Sequence, residues 1–156
     1  MKTFPPLNRS RPYRRLGRIC LLPVLLLFGA AGAAAAEVTV SKTPQCGCCK
    51  KWVDHLRNNG FEVEVVDMDS VEPVKRQNGV PAALGSCHTA VVDGYVVEGH
   101  VPADLIERLL SERPKVKGLA VPGMPMGSPG MEGPQKHPYQ VLTFDGEGET
   151  SVYADR

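Results

Sequence analysis

Three cysteines within four residues are the most chemically specific feature of this sequence. Cys46 and Cys49 have the Cys-x-x-Cys spacing of redox and metal-binding pairs, and Cys48 adds a third sulfur between them. Near-adjacent cysteines form strained disulfides, so the crowding favours metal ligation or redox chemistry over two structural bridges. Thiolate sulfur is a soft ligand, and it selects ions such as Cu(I) and Zn(II).

The cysteine run stands at the predicted start of a helix. Residues 43–47 form a turn after a short strand, and Trp52, Val53 and Leu56 then follow at helical spacing. Asn58, Asn59 and Gly60 end this helix. Unpaired N–H groups and the helix dipole stabilise a thiolate at a helix N-terminus, which makes the sulfur a better nucleophile and a better metal ligand.

The remaining patterns predict a mixed α/β domain with the element order β, α, β, α, β, β, α. Asp93 and Gly94 join two β-rich runs as a hairpin, and Pro102 begins an amphipathic helix that stops before Pro114. This order is typical of a thioredoxin-like domain, followed by a Pro/Gly/Met-rich loop and a C-terminal β-hairpin. The predicted strands cover residues 38–40, 61–66, 89–92, 95–98, 139–144 and 150–153, the second helix covers residues 71–77, and the loop covers residues 115–138.

Cys87 and His88 directly precede the third predicted strand. In a thioredoxin-like domain that junction lies beside the cysteine loop, where ordinary thioredoxins carry a cis-proline. We therefore expect Cys87 to bring a fourth thiolate to the cluster and His88 an imidazole. His100 ends the predicted hairpin and is either structural or an additional ligand. The other two histidines are expected on the surface or at a helix cap (His55) and in the loop (His137).

Methionines in the predicted loop are a second source of soft sulfur. Met124, Met126 and Met131 alternate with prolines and glycines, which exclude both helical and strand spacing. Thioether sulfur is a soft ligand that suits Cu(I). Two interpretations stay open, namely additional metal ligands and a lid that packs its methionines over the domain.

Residues 1–36 have the layout of a signal peptide. Six basic residues precede an apolar run at residues 19–28, and an Ala-rich stretch ends at Ala36. We expect cleavage near Ala36, a periplasmic domain at residues 37–156, and no stable membrane insertion afterwards; an uncleaved anchor is the alternative. The whole chain carries +1, so the domain without the six leader cations carries −5. An acidic domain without a basic stripe argues against nucleic-acid binding.

Several runs of the sequence resemble the CopG-type periplasmic metal-binding proteins, a thioredoxin-like domain of unknown function. The resemblance rests above all on Cys-Gly-Cys-Cys at residues 46–49 and Ser-Cys-His-Thr at residues 86–89, and it spans nearly all of residues 37–156. Further runs that carry it are residues 43–52, 79–81, 86–95, 98–102 and 123–125. The resemblance implies copper resistance or copper handling and a cuprous thiolate cluster. Cys46, Cys48, Cys49 and Cys87 would form this cluster, with His88 beside it.

These observations together predict a protein that binds Cu(I) through a multi-cysteine cluster, with more than one ion bound. Two alternatives stay open: a thiol–disulfide oxidoreductase that uses Cys46 and Cys49, and a structural zinc site. A combined role also stays open, a copper-linked oxidoreductase whose thiols change oxidation state and so release or capture copper. Under the copper interpretation the expected partners are copper ions and, beyond them, other periplasmic copper proteins or an exporter.

Overall fold

The computed structural model describes residues 35–156, and the predicted signal peptide lies outside them apart from its last two residues. Seven strands form one mixed sheet, accompanied by three α-helices and a 3-10 helix at Ala82–Leu84. The strands are β1 (Glu37–Lys42), β2 (Glu62–Asp67), β3 (His88–Val92), β4 (Tyr95–Glu98), β5 (Gly118–Ala120), β6 (Gln140–Phe144) and β7 (Thr150–Asp155). The helices are α1 (Gly47–Asn58), α2 (Glu72–Gln77) and α3 (Ala103–Glu112). In this part of the chain no helix is both long and apolar enough to cross a membrane.

The sheet has the strand order β2-β1-β3-β4-β5-β6-β7. Helix α1 connects β1 to its parallel neighbour β2, and β3 returns antiparallel to β1. Asp93 and Gly94 have positive φ angles of 47° and 84°, as a tight β3–β4 hairpin requires. The predicted α/β class and the predicted order of the first seven elements are confirmed, and β6 and β7 form the predicted C-terminal hairpin.

The loop predicted for residues 115–138 is wrong at one place. Residues Gly118–Ala120 form β5, which pairs parallel with β4 and antiparallel with β6. Gly118 permits this pairing because a Cβ there would collide with the carbonyl oxygen of Val96. Strand β5 thereby joins the C-terminal hairpin to the sheet, and the methionine-bearing residues after it remain a loop.

The core fixes α1 and β3 next to the cysteine loop. Trp52, Val53 and Leu56 are fully or almost fully buried on α1, and each such side chain contributes roughly 1.5–3 kcal/mol by leaving water. The indole Nε1 of Trp52 donates to the carbonyl of Val101 at 2.8 Å, which ties α1 to the segment before α3. In the β1–β3 pair Lys42 is opposite His88, so the turn after β1 adjoins the residue before β3.

Candidate metal centre

Cys46 caps the helix that carries the cysteine run. It has an extended backbone conformation before α1, and its sulfur accepts a hydrogen bond from the backbone N–H of Cys49 at 3.3 Å. A sulfur in this position lies at the positive end of the helix dipole. The helix therefore begins where the sequence predicts, and its N-terminal N–H groups face the Cys46 sulfur as expected.

Cys46 and Cys49 are joined by a disulfide, with their Cα atoms 5.3 Å apart. Cys48 and Cys87 carry free thiols, and both are partly exposed, whereas Cys49 is fully buried. The structure thus represents the two-electron oxidised form of the Cys46–Cys49 pair. Two of the four predicted thiolates exist only after this bond is reduced.

The four cysteine sulfurs lie within 4.8 Å of one another. The Sγ of Cys48 is 3.5 Å from that of Cys46 and 4.0 Å from that of Cys87, although Cys87 is 39 residues further along the chain. The Sδ of Met124 lies 3.8 Å from the Sγ of Cys48 on the exposed side. The structure therefore brings together the sulfurs of the cysteine run, Cys87 and one loop methionine.

A second donor group shares Cys87 with the first and adds His88 and His100. The Sγ of Cys87 lies 3.5 Å from Nδ1 of His88 and 3.2 Å from Nε2 of His100. The carbonyl oxygen of Pro129 is 2.7 Å from Nδ1 of His100. Because a carbonyl only accepts, Nδ1 of the neutral ring carries the proton, and the Nε2 lone pair faces the Cys87 sulfur.

Burial keeps these side chains in their neutral forms. Burial, together with the charge of neighbouring Cys48, raises the pKa of the Cys87 thiol to about 11. It lowers the pKa of His88 well below its usual value, helped by His100 and Lys75, and it also lowers the pKa of His100. Neutral imidazole is the form that binds a metal.

His88 lies between an aromatic ring and the second histidine. Its ring centroid is 4.2 Å from that of Trp52 and 5.3 Å from that of His100, and the side chain is fully buried. Among the buried side-chain atoms of residues 35–156, Nε2 of His88 is the one without a hydrogen-bond partner. A buried ring nitrogen left without a partner is costly, so its retention beside the cysteines calls for an explanation.

A buried ion pair supports the Cys87 segment from behind. Lys75 on α2 and Glu98 on β4 contact each other, with their side chains 6% and 0% exposed. Glu98 also accepts from the Thr89 hydroxyl at 2.7 Å and from the backbone N–H of Ser86 at 2.5 Å. Glu98 therefore holds the residue that precedes Cys87. The sequence analysis did not predict this pair. The available signal was Glu98, a carboxylate at the end of the otherwise apolar strand β4.

The methionine loop is anchored against the cluster at two points. The hydroxyl of Ser86 donates to the carbonyl of Gly123 at 2.8 Å. Further along, Gly130 has a φ of +86°, and a Cβ there would lie 2.7 Å from the carbonyl oxygen of Cys48 and 3.0 Å from the backbone nitrogen of Trp52. Glycine is required at this position because the loop backbone lies directly on the first turn of α1.

The other histidines have the modest roles that the sequence suggests. The Nε2 of His55 accepts a hydrogen bond from the backbone N–H of Ala103 at 3.1 Å, so it caps the start of α3 from a neighbouring helix. His137 is exposed in the loop, and its backbone N–H donates to the carbonyl of Met126 at 2.9 Å. Neither side chain belongs to the two donor groups found among residues 35–156.

The donor set fits a soft metal. A metal bound to two thiolates at about 2.3 Å separates their sulfurs by at most about 4.6 Å. The separations of 3.5 Å and 4.0 Å at Cys48 lie inside this limit. Thiolate and imidazole together select soft and borderline ions over Mg²⁺ or Ca²⁺.

A mixed α/β domain with four cysteines and two histidines at one end of its sheet defines a metal-binding protein. The chain belongs to the family of the copper resistance protein CopG. Two solved structures of CopG, form 2 and form 1, are each 47% identical to it and have TM-scores of 0.75 and 0.74. Each match covers 78% of this chain and 98% of the CopG chain.

A family model described as a protein of unknown function, DUF411, matches residues 84–131. That range contains Cys87, His88, His100 and all three loop methionines, but not the cysteine run at residues 46–49. A search of curated proteins finds no match.

Proposed function

We propose that this chain binds Cu(I) in a cluster of more than one ion and protects against copper by sequestering or transferring it. The observation that carries the proposal is the four-sulfur group of Cys46, Cys48, Cys49 and Cys87, within 4.8 Å, in a member of the CopG family. Thiolate sulfur can bridge several Cu(I) ions, and a single Cu(I) does not need four sulfurs. His88 and His100, which adjoin Cys87, extend the donor set by two nitrogens.

The oxidation state of Cys46 and Cys49 controls how many donors are available. Reduction of their disulfide by a dithiol consumes two electrons and two protons and yields two thiols, while the dithiol becomes a disulfide. Each thiol then loses its proton when it binds Cu(I). The oxidised protein retains two free thiols and the two histidines, so we expect it to bind fewer Cu(I) ions than the reduced protein.

Anaerobic copper titration tests this function. Reduced protein competes with a moderate-affinity Cu(I) chelator, and bound copper and free thiols are counted on the same sample. We expect more than one Cu(I) per chain, and a lower number for Cys87→Ser. Adding Ser111→Cys at an exposed position of α3 restores the thiol count without restoring the cluster, so this double variant should bind as poorly as Cys87→Ser. Reduced wild-type protein that loses all Cu(I) to the chelator refutes the proposal.

The disulfide favours a second candidate function, thiol–disulfide exchange. In the reduced protein the partly exposed Cys46 thiolate would attack a substrate disulfide and release one substrate thiolate. Cys49 would then attack Cys46 of the mixed disulfide, release the second substrate thiolate and re-form the Cys46–Cys49 disulfide. Cys48, 3.5 Å from Cys46, argues against efficient turnover because it can capture the mixed disulfide. Metal-free insulin reduction separates the candidates, since rapid turnover supports the oxidoreductase.

A structural zinc site is the third candidate for the same ligands. Cys46, Cys49 and Cys87 with either Cys48 or His88 would give four donors, as tetrahedral Zn²⁺ requires. This arrangement leaves Met124 and one further donor unused although they lie at the site. Competition between Zn(II) and Cu(I) on the reduced protein decides between them, and we expect Cu(I) to displace Zn(II).

We further propose that the protein acts in the periplasm after cleavage near Ala36. The basic, apolar and Ala-rich order of residues 1–36 supports export. N-terminal sequencing of protein from the periplasmic fraction tests this, with a mature chain that begins at or near Glu37 as the expected result. An intact N-terminus in the membrane fraction would support the uncleaved anchor.

A further inference from the structure

Stability alone does not explain why this domain buries an ion pair. Lys75 and Glu98 contact each other with side chains that are 6% and 0% exposed. Taking two charges out of water is costly, and well-packed apolar residues of similar volume are often as stabilising as such a pair, or more so. The pair is therefore better explained by what its hydrogen bonds hold in place.

The hydrogen bonds of Glu98 reach both sides of the Cys87–His88 segment. On one side Oε1 accepts from the backbone N–H of Ser86 at 2.5 Å, and on the other Oε2 accepts from the hydroxyl of Thr89 at 2.7 Å. The thiol and the imidazole lie between these two contacts in the sequence. One carboxylate thus holds the residue before Cys87 and the residue after His88.

The ammonium group of Lys75 completes the same network. Its Nζ donates to the hydroxyl oxygen of Thr89 at 3.1 Å and to the carbonyl of His88 at 3.5 Å. That carbonyl also accepts from the backbone N–H of Gly99 at 3.3 Å. Because the Thr89 oxygen accepts from Lys75 and donates to Glu98, the three side chains form a closed ring.

His100, the third member of the donor group, is held through the chain itself. It follows Glu98 by two residues, and Gly99 between them has a φ of 73°. A Cβ at Gly99 would lie 2.8 Å from the Cβ of Ser86, so the two segments pack directly against each other. The distance of 3.2 Å between Sγ of Cys87 and Nε2 of His100 follows from this close packing.

We propose that Glu98, with Lys75 as its counter-ion, is a positioning residue for metal binding at Cys87, His88 and His100. Neither Lys75 nor Glu98 belongs to the two donor groups found among residues 35–156. Their role is to keep the three donors at metal-binding distance when no metal is bound, so that little ordering remains when the metal arrives. The inference rests on the proposed Cu(I) function and assigns a supporting role outside the ligand set.

Two double variants separate positioning from stability. The apolar variant, Lys75→Met with Glu98→Leu, removes both charges and the hydrogen bonds of the pair, a replacement that often preserves stability. The amide variant, Lys75→Met with Glu98→Gln, also removes both charges, but its amide oxygen can still accept from the N–H of Ser86. Urea unfolding checks that both are folded. If the apolar variant is unfolded, Thr89→Val, which removes one hydroxyl from the ring, is compared with Thr89→Ser, which keeps it.

Thiol bridging by dibromobimane measures the positioning without metal. In the disulfide form Cys48 and Cys87 are free thiols with sulfurs 4.0 Å apart, and the reagent joins two thiols only when both are within its reach. Peptide mass spectrometry identifies the bridge, and single labelling by monobromobimane corrects for exposure. We expect the ratio of bridging to single labelling to fall about tenfold in the apolar variant, because a reaction between two positioned groups depends steeply on their geometry. The amide variant should stay near the wild type.

The Cu(I) affinity of reduced protein, measured by competition with bicinchoninate, tests the consequence for binding. Removing a group that supports a metal site typically weakens affinity about 10- to 100-fold. We expect a loss on the order of tenfold in the apolar variant, little change in the amide variant, and an unchanged number of Cu(I) ions in both. Arg108→Met with Glu112→Gln removes an exposed ion pair on α3 and is the matched control.

The outcomes decide between positioning and a merely structural role. Wild-type bridging in a folded apolar variant overturns the proposal, even if wild-type protein fails to retain Cu(I) and the proposed function is lost. Equal losses in the apolar and amide variants overturn it too, because the effect would then come from the missing charges. Unchanged Cu(I) affinity or a lower Cu(I) number in the apolar variant also overturns it. Reduced bridging and weaker binding that the amide variant restores support it.

Discussion

Removing one member of the buried Lys75–Glu98 pair should destabilise the protein strongly. The two side chains are 6% and 0% exposed, so Lys75→Met leaves a buried carboxylate without its cation, and Glu98→Gln leaves a buried ammonium without its anion. Losing one partner of such a pair costs about 3–5 kcal/mol in the free energy of unfolding. The total for a domain is about 5–15 kcal/mol, so each single variant loses a large fraction of it.

The double variant is the informative measurement. Lys75→Met with Glu98→Gln contains no unpaired charge, and the amide oxygen of the introduced glutamine side chain can still accept from the backbone N–H of Ser86. We expect it to cost less than either single variant. Urea unfolding at pH 7 with the disulfide intact measures all three. Lys50→Met is the matched control, because the Lys50–Asp54 pair is 73% and 46% exposed and should cost about 0.3–0.5 kcal/mol.

Additivity would refute this reasoning. If the two single costs sum to the double cost within about 0.5 kcal/mol, the charges do not interact as a buried pair. If a single variant is too unstable to fold even without urea, the prediction holds only if the double variant folds.

The site leads to three further predictions. Gly130→Ala forces a Cβ against the Cys48 carbonyl and should lift the loop, so that Cys48 reacts faster with iodoacetamide in peptide mass spectrometry. Alkylation of Cys87 in the disulfide form should rise about tenfold per pH unit up to its pKa of about 11, because the thiolate is the reactive form; a plateau below about pH 9 contradicts it. Trp52→Phe leaves the Val101 carbonyl without its indole donor and should cost about 1–3 kcal/mol in urea unfolding.

The raised pKa of Cys87 also makes the stability of the fold depend on pH. Its folded pKa lies above that of an exposed thiol, so the folded state favours the proton. This contribution is fully present below the unfolded pKa and is lost as pH rises through about 11.

Local patterns were sufficient for most of the fold. The hairpin at Asp93 and Gly94 and the helix that carries Trp52 have strong local signals, and both are present. Strand β5 has no such signal. Its three residues are too few to show the alternation of a strand, and its pairing depends on strands β4 and β6. Short strands that tertiary contacts define are poorly visible in a sequence.

At the site, too, some features follow from the sequence pattern and others depend on contacts in the folded protein. The sequence pattern places Cys87 beside the cysteine run because the element order implies that junction. It does not reveal that Cys46 and Cys49 are bonded, which depends on redox state, nor that the Pro129 carbonyl orients His100. The Lys75–Glu98 pair was also hidden, because burial of a charge depends on its neighbours in space.

The pairing of β1 with β3 makes the site a late product of chain assembly. The Cys48 and Cys87 sulfurs meet because Lys42 is opposite His88 across two strands far apart in sequence. Pairing of this kind comes after local helix formation, since closing the intervening chain costs entropy first. A nascent chain therefore offers the Cys46–Cys49 run without Cys87 beside it, and full metal capacity marks a molecule whose long-range architecture is complete. Metal content can thus report the folded fraction of a preparation.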